Sequence, residues 1–170
     1  MVLSTDFIDA CLEEDKLLDP RDFELDDKEN EKRLGVSLKL SRSRAKKNQN
    51  RLLQGLSIYC AESIHGGFET FKAIVEANGG RCMPWRNRKS AIIPSTRAES
   101  DGSADSEDSV VYLLTDKKEG NKSLCARFRE TALNSRKTPL IIDPDWVIES
   151  AMSQKLLPTA PYDVESGERA

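Results

Sequence analysis

Few residues in this chain are equipped for chemistry, and most of those point to binding rather than bond-making. His65 is the only histidine, so neither a histidine-based catalytic triad nor a multi-histidine metal site can be assembled within the chain. No glycine-rich phosphate loop of the GxxxxGKS or GxxxxGKT type occurs. His65 lies in the run Ser63-Ile64-His65-Gly66-Gly67, directly ahead of an apolar helical pattern. Free amides at a helix N-terminus favour anions, although a glycine-rich start to an ordinary helix has the same composition. A basic cluster, Arg42, Arg44, Lys46 and Lys47, reads as the solvated face of a linker helix. Its alternatives are a nuclear import signal or a contact to a phosphate backbone. Ser103, Ser106 and Ser109 stand among carboxylates, either as kinase substrates or as ordinary loop residues. Cys11, Cys60, Cys82 and Cys125 show no CxxC spacing. Without a secretory signal they read as buried thiols in a reducing compartment rather than as disulfides or zinc ligands.

The elements that must position these residues fit one domain of ordinary size plus appendages, since the chain has 170 residues. Its net charge of −3 argues against a protein that coats nucleic acid, which needs a domain-wide basic excess. The N-terminus carries Asp6, Asp9, Glu13, Glu14 and Asp15 with no uninterrupted apolar run. That pattern argues against a signal peptide or a membrane span and for an intracellular chain.

Along the chain, Val2-Leu3 reads as a strand end, followed by a helix with Asp6 as N-cap and Phe7, Ile8, Cys11 and Leu12 on one face. Asp19-Pro20 stops it. A charged connector follows, and then a helix over 34–53 in which Leu34, Leu38, Ser41 and Ala45 form a narrow inward stripe while the basic residues face solvent. From Gln54 the pattern changes to strand and helix in alternation: strands Leu56–Cys60, Arg81–Trp85, Val110–Thr115 and Leu140–Ile142. The intervening helices are Phe68–Ala77, Asn121–Ser135 with Leu124, Phe128 and Leu133 inward, and Pro144–Leu157. Ala91–Ile93 extends this region, and 94–109 is a disordered acidic loop. The order β-α-β-β-α-β-α implies a sheet that is at least partly parallel and covered by helices.

One helix is nearly repeated. Asp6-Phe7-Ile8-Asp9-Ala10-Cys11-Leu12 with Lys16-Leu17-Leu18 aligns without a gap on Asp145-Trp146-Val147-Ile148-Glu149-Ser150-Ala151 with Lys155-Leu156-Leu157. A sequence repeat marks a repeated structural unit. The second copy closes the alternating region, whereas only five residues precede the first. The chain therefore reads as the tail of one domain, a linker and a complete second domain.

The alternating region resembles a BRCT domain, a module of DNA-damage and replication proteins. Leu53-Gln54-Gly55 before the first strand, Gly79-Gly80 after the first helix, Val111-Tyr112-Leu113-Leu114 in the third strand, and Asp145-Trp146-Val147 with Ser150 in the last helix carry the resemblance. It implies an α/β fold, a four-stranded parallel sheet flanked by three helices, over 51–162. A charged linker (21–50) and the last helix of a truncated preceding BRCT repeat (1–20) come before it, and a tail (163–170) after it. Asp22-Phe23-Glu24-Leu25, Glu31-Lys32-Arg33, Ile58-Tyr59-Cys60 and Gly66-Gly67-Phe68 narrow the likeness. They resemble the C-terminal BRCT pair of the fungal multi-BRCT genome-maintenance scaffolds, the regulator-of-Ty-transposition family.

That resemblance implies a nuclear, non-catalytic scaffold whose intact repeat pair reads a phosphorylated protein or histone tail and meets other DNA repair proteins. DNA contact would be weak, and no membrane, metal or cofactor is implied. In such pairs the first repeat holds the phosphate through a Ser/Thr-Gly and a lysine, at positions that would lie before Met1. The complete repeat of this chain departs from that pattern, with Ala61-Glu62 after Cys60; a carboxylate there repels phosphate. Lys122, near the start of the second helix, matches the phosphate lysine by position. His65, Gly66 and Gly67 match the loop that lines the pocket for the downstream end of the peptide. Trp146 reads as core, since aromatics at helical spacing bury large apolar area. The alternatives are the C-terminal BRCT appendage of a ligase or polymerase, and a DNA-contacting module using the basic helix.

Overall fold

Each strand of the alternating region is apolar at nearly every position, as a sheet covered on both faces requires. In the computed structural model, which describes residues 3–25, 27–86, 93, 110–116 and 121–164, four strands form one parallel sheet. They are β1 (Ser57–Ala61), β2 (Arg81–Trp85), β3 (Val110–Leu114) and β4 (Thr138–Ile142), in the order β2-β1-β3-β4. The chain divides into two compact units, Met1–Ser37 and Leu38–Ala170. The first holds α1 (Asp6–Glu13), a 3-10 turn (Pro20–Phe23) and α2 (Lys28–Leu34). The second holds α3 (Leu38–Asn48), α4 (Phe68–Ala77), α5 (Lys122–Asn134) and α6 (Asp145–Ser153) around the sheet. The expected extension at Ala91–Ile93 apart from Ile93, the acidic loop with its three serines, and most of the tail lie outside the described residues.

Alternation along the strands splits the core in two. Ile58, Cys60, Tyr112, Leu114 and Ile142 face α4 and α6, packing with Phe71, Val75, Trp146 and Val147. Tyr59, Val111, Leu113 and Ile141 face α5, packing with Trp85, Cys125, Phe128 and Ala132. On α5 the inward stripe is therefore Cys125, Phe128 and Ala132. Leu133, expected inside, is 59% exposed because it falls about 100° around the helix from Ala132. Trp146 is fully buried, stacks on Tyr112 with ring centroids 5.4 Å apart, and donates its Nε1–H to Leu157 O at 2.8 Å.

The double glycine closes α4. Gly79 N–H donates to Glu76 O and Gly80 N–H to Val75 O, each at 3.0 Å, and Gly79 takes φ +81°. Such a left-handed turn is the usual way to satisfy the last carbonyls of a helix.

Both outer strands carry a proline, Pro84 in β2 and Pro139 in β4. Arg81 N–H donates towards β1, to Leu56 O, and Ile142 O accepts from Thr115 N of the β3 side. By alternation Pro84 and Pro139 point their missing N–H away from the sheet, the one orientation in which proline costs no ladder bond. Residues 163–164 cover part of the β4 edge, Val164 N–H donating to Ile141 O at 3.1 Å.

The sequence repeat is a structural repeat, and it is longer than the matched residues. Leu3 bridges Glu24 antiparallel, as Ile142 bridges Asp163. Ser4 N–H donates to Phe23 O at 2.9 Å, as Asp143 N–H does to Tyr162 O at 2.8 Å. Lys16 N–H reaches Cys11 O and Lys155 N–H reaches Ser150 O, both at 3.2 Å. Leu18 N–H donates to Cys11 Sγ at 3.4 Å, as Leu157 N–H donates to Ser150 Oγ at 3.2 Å. Even the left-handed residue recurs, Asp15 at φ 46° and Gln154 at φ 49°. The expected Asp6 cap is corrected by the same comparison: Ser4 Oγ accepts from Asp6 N–H at 3.2 Å, just as Asp143 Oδ1 accepts from Asp145 N–H at 3.0 Å.

The helix expected over 34–53 is two helices. Gly35 adopts φ +64° and ends α2, so α3 begins only at Leu38. Leu34 and Leu38, expected inward, are 52% and 53% exposed, and Ser41 is the buried residue of the helix. Arg44 is half-buried rather than solvated: its Nη1 donates to Ser153 O at 3.0 Å, while Asn48 Nδ2 donates to Gln154 O at 3.2 Å. These are the carbonyls that the end of α6 leaves without helical partners. A cation also complements the negative end of the helix dipole.

Candidate functional site

The strand order places the topological switch point between β1 and β3. The connections leave β1 and β3 towards opposite edges of the sheet, opening a crevice at their carboxyl ends, where ligands of open α/β sheets bind. Glu62 and the Ser63–Gly67 loop follow β1; Thr115 and Asp116 follow β3; Asn121 and Lys122 open α5. His65, Gly66, Gly67 and Lys122 are therefore brought to the same end of the sheet, as the sequence led one to expect.

What joins them is a residue that the sequence did not single out. Asp116 Oδ2 accepts the backbone N–H of His65 at 3.0 Å. Behind it, Asn121 Nδ2 donates to Thr115 Oγ1 at 2.9 Å and to Asp116 O at 3.1 Å, and Thr115 N–H donates to Ile142 O at 3.1 Å. Thr115 is fully buried, so the backbone carrying Asp116 is fixed from both sides. Gly67 N–H donates to Ile64 O at 3.1 Å, so two of the loop amides available for an anion already have internal partners. Glu62 is paired with Arg86, its Oε1 lying 2.6 Å from Nε. The crevice thus holds two carboxylates, and the anion-binding groups of the loop face one of them.

The thiols are poor nucleophiles. Burial, with Cys82 and the Asp116 carboxylate adding to it, pushes Cys60 up to about 12. Burial likewise raises Cys82, with Glu76 adding to the effect, to about 11. Cys125 is buried and Cys11 partly so. Among the described residues no group of His, Cys, Asp or Glu is placed to hold a metal ion, and no helix is long and apolar enough to cross a membrane. A hollow of about 260 Å³ beside β4, lined by Arg129, Pro139, Leu140, Thr159 and Asp163 among others, contains none of the residues singled out by sequence.

The basic helix is remote from the crevice. In a parallel sheet the covering helices end near the amino ends of the strands, and α3 lies against the end of α6. Nearby, Gln154 Nε2 donates to Asn78 Oδ1, at the end of α4, at 3.0 Å. Arg44 is part of that packing, whereas Lys46 and Lys47 are exposed. Replacing both lysines with Glu should leave stability within about 0.5 kcal/mol per site while weakening binding to heparin or DNA. Salt-dependent retention on a heparin column and a melting curve check this. Unfolding of the double variant would overturn the solvent-facing assignment of the two lysines.

Comparison with solved structures places this arrangement among BRCT folds. The BRCT5–BRCT6 domains of Brc1 from S. pombe match with a TM-score of 0.60 at 24% identity, over 91% of this chain and 68% of that one. A crystal structure of Rtt107p matches with a TM-score of 0.53 at 18% identity, over 94% and 62%. A complex of Rtt107p with a phosphorylated histone matches with a TM-score of 0.52 at 18% identity, again over 94% and 62%. This chain thus spans less than two thirds of the Rtt107p structures and slightly more of the Brc1 one. A scan against protein-family models found no match, and neither did a search of curated proteins. The likeness shows the fold: a four-stranded parallel sheet with covering helices, of BRCT type.

Proposed function

We propose that this chain is a non-catalytic protein-interaction module of a nuclear DNA-damage response scaffold, and that it supplies the second half of a paired BRCT reader of phosphorylated tails. The observation that carries the reading is the bond-for-bond correspondence between Leu3–Glu24 and Ile142–Asp163. In the second copy this segment closes a BRCT fold, and Val147 is fully buried against the sheet. In the first copy Ile8 stands at the same register and is 61% exposed, with Leu12 at 74%. Residues 3–24 have the geometry of a closing segment whose apolar face belongs against another sheet of the same type. A first BRCT repeat completed by Leu3–Glu24 would then stand beside the one built on β1–β4. The similarity to Rtt107p, solved in complex with a phosphorylated histone, supports a phosphorylated tail as ligand. In this reading His65, Gly66 and Gly67 present a surface to the downstream end of the peptide.

The test is a chimera. The part of the Rtt107p structure that this chain does not cover would be joined ahead of Leu3, with Leu3–Glu24 serving as its last helix. A fluorescent phosphoserine peptide with a free carboxyl end is titrated into the chimera and into the chain alone. The chain alone should show no phosphate-dependent binding. The chimera should bind the phosphorylated peptide at least about a hundredfold more tightly, since two or three charge-assisted hydrogen bonds are restored. A folded chimera that ignores the phosphate, or tight phosphate-dependent binding by the chain alone, would overturn the reading.

A further inference from the structure

The crevice at the switch point has the form of an anion site that contains its own anion. Asp116 Oδ2 lies 3.0 Å from the His65 amide, at the start of the loop that leads into α4, with Lys122 in the first turn of α5 on the other side. Its backbone is clamped by Asn121 and by the buried Thr115, so the carboxylate is delivered to this spot by the fold rather than by a freely rotating side chain. Glu62 adds a second negative charge, with Arg86 as its partner. The field of Asp116 extends inward as well, being among the causes that raise the Cys60 thiol.

We propose that Asp116 is the specificity-determining residue that closes this repeat to phosphate. It does so by holding the loop amide that an incoming anion would need and by placing a like charge in the crevice. The inference deepens the paired-repeat reading. With one of two similar crevices closed from within, a phosphorylated tail has a single place for its phosphate, so the direction and register of the peptide are set. Asp116 also holds the Ser63–Gly67 loop in one conformation, which presents a preformed rather than a mobile surface to the rest of the peptide.

The proposal is tested on the whole chain with inorganic phosphate at constant ionic strength, by following backbone amide resonances. In the native protein the His65, Gly66 and Lys122 amides should show no saturable shift. Asp116→Asn removes the charge and keeps an acceptor for His65, and Asp116→Ser shortens the side chain and frees the amide. At least one of the two should respond saturably, with an affinity at least about tenfold above the native limit, the scale of removing one like charge a few ångströms away at a half-exposed site. An unchanged Trp146 indole resonance reports that the fold is intact. Phosphate binding by the native chain as tight as by the variants, or no saturable response from either folded variant, would overturn the proposal. The paired-repeat reading fails separately, through the chimera, since this titration needs no first repeat.

Discussion

Trp146→Ala is expected to destabilise the second unit by about 3–5 kcal/mol, through lost burial and the cavity left behind. The indole is fully buried, its face lies on Tyr112, and its Nε1–H satisfies Leu157 O at the point where the chain leaves α6. Removing the ring therefore opens the α6 face of the sheet and frees the segment that follows. In a domain of this size that loss corresponds to a fall of roughly 10–20 °C in Tm. Trp146→Phe separates the two contributions, because it keeps a ring beside Tyr112 and loses only the hydrogen bond, with the remaining effect nearer 1–2 kcal/mol. Thermal unfolding followed by circular dichroism measures both. A melting curve unmoved by the alanine change would contradict the central place of α6 in the core.

The second large effect is expected at the double glycine. A Cβ on Gly80 would lie 2.8 Å from Val75 Cγ1 and 3.0 Å from Leu53 Cβ, so Gly80→Ala should cost about 1–3 kcal/mol through overpacking. A Cβ on Gly79 would lie 2.8 Å from Asn50 O, at a φ of +81°. There the strain of a left-handed backbone adds about 1 kcal/mol to the crowding. Gly55 supplies the control, since its φ of +83° is nearly the same but nothing lies within 4 Å of its Cβ position. Chemical denaturation of Gly79→Ala and Gly55→Ala should therefore differ by the crowding alone. Equal losses in the two variants would show that the backbone of Asn50 gives way and that Gly79 is needed only for its dihedral angles.

The parallel strands, the buried tryptophan helix and the glycine turn are legible in the sequence because each is a local pattern: an apolar run, a helical spacing, a helix stop. The linker helix is not, because Leu34 and Leu38 keep helical spacing across Gly35, and spacing alone does not reveal that the backbone turns left-handed between them. Arg44 reads as surface because its partner, Ser153 O, is 109 residues away. The repeat is visible over the helix, where side chains match. It is invisible at its ends, where Ser4 and Asp143 make the same cap with different atoms and Phe23 stands for Tyr162. Asp116 carries no local signal at all. Its meaning comes from β3 lying beside β1, which puts a carboxylate against an amide 51 residues earlier. The strand order, once recognised, is the signal that could find it.

The prolines on the two outer strands bear on how this module meets other molecules. An exposed strand edge is a template on which a foreign strand, or another copy of the same chain, can extend the sheet. With Pro84 on β2 and Pro139 on β4, each edge lacks an outward donor at its middle, and residues 163–164 occupy part of the second. Strand-by-strand growth is therefore obstructed in both directions, which protects a scaffold component that must stay soluble at high local concentration. It also narrows the choice of binding surface: recognition is left to loops and helix faces, where side-chain chemistry rather than backbone pairing decides the partner.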